Sequence, residues 1–247
     1  YVAGYIQDKF AFKDLIFNIG VRIDRYDANQ MVLKDQFLLH EAYTVGDSDE
    51  AGLIASVTHP ENIPDNAVVY VNDMNNPTAI NGYRVGNVWY NATGTEVENP
   101  ASIASANGIA PYLLDPDAEL NSSAFEDYKP QIVVMPRVSF SFPISDEALF
   151  FAHYDILSKR PSYSNRLNPI EYLYIRQLNS DLINNPNLKT EKTIDYELGF
   201  QQKLGNTSSI KLSAFYREMR DMQQAIAVNG AYPVNYYTYG NIDFGTV

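Results

Sequence analysis

Residues 189–220 read KTEKTIDYELGFQQKLGNTSSIKLSAFYREMR, and the fold turns on them. Ile194, Tyr196, Leu198 and Phe200 alternate with Asp195, Glu197, Gly199 and Gln201, a period of two that predicts a strand with two unlike faces. Gly205-Asn206-Thr207-Ser208 supplies a turn, after which Ile210, Leu212, Ala214 and Tyr216 alternate with Ser209, Lys211, Ser213 and Arg217. This predicts an antiparallel hairpin with arms of about 12 residues. Globular strands cluster near about 5 to 6 residues, whereas a tilted strand crossing a bilayer in a barrel needs roughly 9 to 11. The apolar face is thus open to two readings, lipid contact or a soluble core, and recurrence along the chain decides between them.

The pattern recurs. Upstream, Val2, Ile6, Phe10 and Phe12 share a face, Lys13-Asp14 makes a turn, and Leu15, Phe17, Ile19, Val21 and Ile23 oppose Asn18, Gly20, Arg22 and Asp24. A third hairpin sets Val134, Val138, Phe140 and Phe142 against Arg137, Ser139 and Ser141, turns at 143–146, and returns with Ala148, Phe150, Ala152, Tyr154 and Ile156 opposite His153 and Asp155. Pro136 is expected at a strand end or an irregularity, because it cannot donate to a ladder. Residues 237–247 are read as a seventh strand, with Ile242 and Phe244 against Asn241 and Asp243.

Tight turns near Lys13, Ser145 and Asn206 alternate with long connections over 29–130, 158–190 and 221–236. In an up-and-down barrel alternate connections share a rim, so short turns gather at one side and long loops at the other, as in outer-membrane barrels. The expected fold is all-β: an antiparallel up-and-down transmembrane β-barrel segment of about seven strands, with long external loops and a small β-containing insert. The divisions are a barrel hairpin over 1–28, an acidic external insert over 29–130, and barrel strands over 131–247. Within the insert, Val68-Val69-Tyr70-Val71 and the run from Tyr83 to Tyr90 predict strands; in the next loop Asn168-Pro169 predicts a helix start whose apolar face is Ile170, Leu173 and Tyr174.

Composition narrows the function classes. There is no cysteine, so neither a disulfide framework nor thiol chemistry is available. No apolar run is long enough for a transmembrane helix, which says nothing against a barrel. The net charge of −12 lies entirely in 29–130, where Lys34, Arg84 and Lys129 face 15 acidic residues; an acidic excess argues against nucleic-acid partners. The chain opens at Tyr1 in strand pattern without a start methionine, and is read as a piece of a longer protein.

Catalysis needs convergent groups, and His40, His59 and His153 share no ligand or triad spacing, so no enzyme and no cofactor are expected. Asp115, Asp117 and Glu119, like Asp47, Asp49 and Glu50, have oxygen-ligand spacing for Ca²⁺, but both runs lack the glycine of an EF-hand loop, and a solvated acidic loop is the better reading. Asn91-Ala92-Thr93 matches a glycosylation sequon, unused in a bacterial source. In a barrel, Arg22, Asp24, Arg137, Asp195 and Glu197 face the lumen, where they could contact a plug, line a path or simply be a wet wall. Tyr232, Tyr236, Tyr237 and Tyr239 in the last long loop are candidates for gripping a ligand or for the outer interfacial girdle.

Taken together, Gly4-Tyr5-Ile6-Gln7-Asp8-Lys9-Phe10, the run from Gly20 to Tyr26, Pro136-Arg137-Val138-Ser139-Phe140, the run from Asn187 to Thr193, and Asp195-Tyr196-Glu197-Leu198-Gly199-Phe200 resemble the C-terminal barrel of TonB-dependent outer-membrane receptors. Thr190 stands where that family usually carries proline. The resemblance implies a barrel of about 22 strands in the bacterial outer membrane, surrounded by lipid. It also implies a plug domain of the same protein, TonB as energising partner, import of an externally bound ligand, and room for an external lipoprotein on the loops. A passive porin or adhesin barrel, and a soluble carbohydrate-binding β-sandwich, are the alternatives.

Overall fold

Side chains that alternate in polarity are satisfied only by an extended backbone with two different surroundings, and the chain pairs its alternating segments into one antiparallel sheet. The computed structural model describes residues 1–47, 52–105, 108–161, 166–177, 182–243 and 245–246. β1 (Val2–Phe12) and β2 (Leu15–Tyr26) form the first hairpin. After β3 (Met31–Leu33) and the single-turn α1 (Leu53–Ser56), β4 (Val68–Val71), β5 (Ile80–Val85), β6 (Val88–Asn91) and β7 (Glu96–Val97) make a four-stranded sheet of the insert's own. β8 (Phe125–Asp127) returns to pair with β3, closing the insert at its neck. β9 (Gln131–Ser145) and β10 (Ala148–Lys159) are followed by the short helix α2 (Pro169–Leu173) and by β11 (Leu182–Ile183). Next come β12 (Glu191–Lys203), β13 (Ser209–Arg220), β14 (Met222–Val228), β15 (Tyr236–Ile242) and β16 (Gly245–Thr246). The large sheet has seven strands in the order β1-β2-β9-β10-β12-β13-β16.

Its strands are long, from 11 to 15 residues in the six complete arms. Ile16 of β2 pairs with Ser141, while β9 runs on to Ser145 before its own turn, the stagger expected of tilted barrel strands. Pro136 lies inside β9 rather than at its end. Its missing N–H explains where the ladder stops: β9 pairs with β10 only as far as Arg137–Asp155, while β10 continues against β12 to Lys159–Glu191.

Two segments differ from the sequence expectation. Residues 236–242 do not join the large sheet; β15 pairs with β14 and, in parallel, with β11, and only Gly245–Thr246 pairs with β13. The departure is made at Asp221, whose left-handed backbone (φ 53) turns the chain out of β13. Asp221 N–H donates to Asp243 Oδ1 (2.8 Å) and Asn241 Nδ2 to the Asp221 carbonyl (2.6 Å), clamping the base of the new hairpin. Phe244, read as part of the seventh strand, lies outside the described residues. In α2, Asn168 Oδ1 caps the Ile170 N–H, but Ile170, Leu173 and Tyr174 point outward and Tyr172 is the buried side chain, its hydroxyl donating to the Asn184 carbonyl. A helix of five residues presents less than two turns, so one anchored tyrosine decides its rotation.

Where the core sits is the informative fact. Both large buried clusters lie outside the seven-stranded sheet. One is internal to the insert, around Val69, Val71 and Tyr83. The other joins all three long connections, with Phe37, Tyr70 and Trp89 from 29–130, Tyr172, Ile175 and Ile183 from the second, and Val228, Ala231 and Tyr236 from the third. The loops are therefore one cap. By contrast the apolar face of the sheet is bare: Ile6 is 73% exposed, Leu212 63% and Leu198 55%. No second layer covers that face among the described residues, so the sandwich reading has no core to offer, and an exposed apolar surface of this extent belongs against lipid.

Candidate functional site

The other face of the sheet carries the charges, and the register explains how they meet. Arg137, Asp155, Asp195 and Arg217 are successive cross-strand partners on β9, β10, β12 and β13. Arg137 Nη2 donates to Asp155 Oδ2 (2.7 Å) and Arg217 Nη2 to Asp195 Oδ2 (2.7 Å), so each carboxylate is held by the arginine on its outer side. Directly beside this row, His153 faces Glu197 across β10 and β12, its Nδ1 3.9 Å from one Glu197 oxygen and its Nε2 3.7 Å from Asp155. Arg22 and Asp24 pair with each other (2.7 Å) in a separate group completed by the Tyr1 hydroxyl, which donates to Asp24 and accepts from Arg22. Of the five residues that the sequence assigns to this face, three thus enter one network and two form another. Asp155 and Arg217, the partners that complete the first, are legible only once strand register is known.

Gly199 belongs to the same face. The Phe151 ring lies where a Cβ on residue 199 would project, and Lys211 Nζ stands 4.5 Å from the centre of that ring. The glycine in the Tyr-Glu-Leu-Gly-Phe run is therefore a packing requirement, not a turn.

The cap holds a second site. Arg84 of β5 is buried to 3% exposure and donates from each nitrogen of its guanidinium: Nε to the Tyr70 hydroxyl (3.0 Å), Nη1 to the Gly86 carbonyl (2.8 Å) and Nη2 to Asp35. It also stacks on Phe37 and Trp89, with its central carbon 5.0 and 5.6 Å from their ring centres. Burial pushes the Tyr70 hydroxyl up to about 12, so it stays neutral beside the arginine. Around this group opens a cavity of ≈ 550 Å³ between the insert, the 185–189 segment and the β14–β15 hairpin. Its wall is mostly polar, with carboxamides contributed by the insert, by the 185–189 segment and by β15.

The four tyrosines of the last connection do not form one cluster. Tyr236 is buried, donates its hydroxyl to the Gln36 carbonyl (2.7 Å) and lines the cavity. Tyr237 and Tyr239 share the other face of β15; Tyr237 is exposed and the Tyr239 carbonyl accepts from Asn185 Nδ2 (2.8 Å). Tyr232 packs edge-on against His40 and beneath Arg176. His59 Nδ1 meets the Tyr83 hydroxyl at 3.0 Å inside the insert, so the three histidines occupy three separate places. Asp115 Oδ1 is engaged by the Asp117 N–H and Asp47 by the Thr44 N–H and hydroxyl, uses that are local turns. Asp49 and Glu50 lie outside the described residues, and among the described residues no three His, Asp or Glu side chains converge as metal ligands. The sequence reading missed Lys34, Asp35 and Arg84 as site residues; the signal available was that Lys34 and Arg84 are two of only three basic residues in an otherwise acidic segment.

The TonB dependent receptor-like, beta-barrel family matches the chain over residues 1–247, insert included. No curated protein matches. Among solved structures, a double mutant of the Serratia marcescens hemophore receptor HasR, in complex with its hemophore HasA and heme, is similar at 12% identity and a TM-score of 0.48, over 99% of this chain and 29% of that one. The copper transporter OprC is similar at 12% identity and a TM-score of 0.40, over 98% of this chain and 24% of that one. The chain spans less than a third of the length of either protein. With an alternating seven-stranded sheet bare on its apolar face, charged on the other and capped at one rim, the chain belongs to the β-barrel family of TonB-dependent outer-membrane receptors.

Proposed function

We propose that this chain is the part of an outer-membrane receptor that captures a ligand at its external cap, and that the whole receptor imports it with energy delivered by TonB to the receptor's own plug domain. The observation that carries this reading is the fusion of the three long connections into one buried core with a polar cavity at its edge. Loops whose only task was to join strands would not need to share a core. On this reading residues 1–28 and 131–247 supply barrel wall, 29–130 supplies most of the cap, and 158–190 and 221–236 brace it. Arg22, Asp24, Arg137, Asp195 and Glu197 then face the lumen, where their fixed charges are available to the plug or to a passing ligand. Tyr236 contributes to the cap cavity, and Tyr232, Tyr237 and Tyr239 to the surfaces around it. No covalent step belongs to the protein. An external lipoprotein could seat on the cap, and the exposed β15 face around Tyr237 is the place for it.

A conductance measurement tests the reading. The full-length receptor in a planar bilayer should hold a closed baseline and open only when urea loosens the plug. A steady open pore without urea would move the function to a passive porin.

A further inference from the structure

We infer that the cap cavity takes a hydroxyl-rich organic anion, a carboxylated sugar in chemical class; this rests on the reading of the cap as the capture site. The insert is strongly acidic, with 15 acidic residues against three basic ones over 29–130, yet two of those three, Lys34 and Arg84, line this one cavity. Lys189 joins them from the 185–189 segment. The single acidic lining residue among those described is Asp35, and it is committed to Arg84. Arg84 is itself buried, with its charge balanced by Asp35 and each of its three nitrogens already donating one hydrogen bond, so the exposed Lys34 and Lys189 are the charges that face a ligand without a committed counter-ion in the wall. Lys34 makes no ion pair among the described residues, and Lys189 has only a 3.8 Å contact with Asp221. Point charges on flexible stems suit a carboxylate reached from two sides, where an arginine fork would favour a planar bidentate match.

The rest of the wall reads hydroxyls. The carboxamides of Asn66 and Asn187 have no hydrogen-bond partner among the described residues, and the Gln36–Asn87 pair (Nε2 to Oδ1, 3.1 Å) leaves the Gln36 oxygen and the Asn87 nitrogen unused. A carboxamide offers a donor and an acceptor side by side, which is the pattern of adjacent hydroxyl groups on a sugar ring. A cavity for an apolar ligand would not collect four such groups around two ammonium ions, since each would be left unpaired when water was expelled. The position of Tyr236 and Tyr172 on the same wall supplies an apolar flank for one ring face.

Calorimetric titration of the full-length receptor in detergent with trigalacturonate, and in parallel with the neutral maltotriose, tests this. Trigalacturonate should bind, and maltotriose about tenfold or more weaker, the worth of one charge-assisted hydrogen bond. Lys34→Gln and Lys189→Gln should each weaken trigalacturonate about tenfold without changing maltotriose, and Asn66→Ala should weaken both. All three side chains are exposed at the cavity mouth, so the fold is not at stake. No heat with trigalacturonate, equal affinity for the two sugars, or lysine variants that bind as the parent does would each overturn the inference. The two failures separate cleanly: a receptor with a closed, plugged baseline that ignores trigalacturonate loses only the ligand class, whereas one that binds it through Lys34 and Lys189 but conducts as an open pore keeps the site and loses the transport reading.

Discussion

Asp155 and Asp195 stand directly opposite each other on β10 and β12, two carboxylates in cross-strand register, and each is neutralised from its far side by an arginine, Arg137 on β9 and Arg217 on β13. Like charges in this position repel, so the two outer arginines are what allow the inner pair. Asp155 is the more enclosed, with its side chain 8% exposed. Arg137→Met should therefore destabilise the receptor by on the order of 1–3 kcal/mol, the cost of stranding a buried carboxylate beside another. Asp155→Asn in the same background should restore most of the loss. Urea midpoints of the full-length receptor measure both, and an additive double variant would show that the pair is not coupled.

The two faces of β12 make a matched pair of substitutions. Leu198 is on the bare apolar face and Gln201 on the charged one. Leu198→Arg should cost about 2 to 4 kcal/mol at the bilayer midplane and block assembly, while Gln201→Arg meets a wet wall and should assemble normally. Heat-modifiable migration of membrane fractions reads the difference. Equal assembly of the two variants would contradict the assignment of faces.

Arg84 fixes Asp35 and Phe37 to the insert sheet, and Phe37 belongs to the core shared with the other two connections. Arg84→Met keeps much of the stem packing but leaves Asp35 Oδ2 without its counter-ion and the Tyr70 hydroxyl without its donor, while Asp35 Oδ1 keeps the Phe37 N–H. A loss of about 3 kcal/mol in cap stability is expected, at the lower end for a broken buried ion pair. Limited proteolysis should cut within 29–130 first, with the barrel strands intact. Asp35→Asn in addition should recover part of the protection.

The barrel hairpins were legible because each face of a strand here meets a single solvent, lipid or water, and the period of two then appears undiluted, as in Ile194 to Phe200. The cap was not, because its order comes from contacts between residues far apart in sequence. Nothing in the neighbourhood of Phe37 announces Tyr236, yet the Tyr236 hydroxyl is held by the Gln36 carbonyl and the Tyr232 N–H by the Phe37 carbonyl (2.8 Å). The same cause misplaced 237–247: β15 has strand pattern, but its partner is decided by the turn at Asp221 and not by its own residues. The apolar residues of α2 misled for a related reason, since Tyr172 is drawn inward by a core that the local sequence does not contain.

His40 offers a test of that long-range seam by pH. It packs edge-on against Tyr232, at the place where Leu38 bridges Tyr232, with Arg176 above the same ring, and it lines a small pocket together with Glu41, Asp115 and Glu119. Burial, assisted by the nearby Arg176 charge, lowers its proton affinity below the ordinary histidine value. The folded cap therefore binds fewer protons at this site than the unfolded chain does. The stabilisation is complete above the unfolded value of about 6.5 and is lost as pH falls below it, because only unfolding, or local opening, then allows the imidazole to charge. Amide exchange in residues 37–40 and 230–232 of the full-length receptor should accordingly show less protection at pH 5.5 than at pH 7.5, once corrected for intrinsic rates. His40→Gln keeps a polar ring-sized group but cannot titrate, and should flatten the profile. Protection that held steady or rose on acidification would mean that the seam does not depend on a neutral His40.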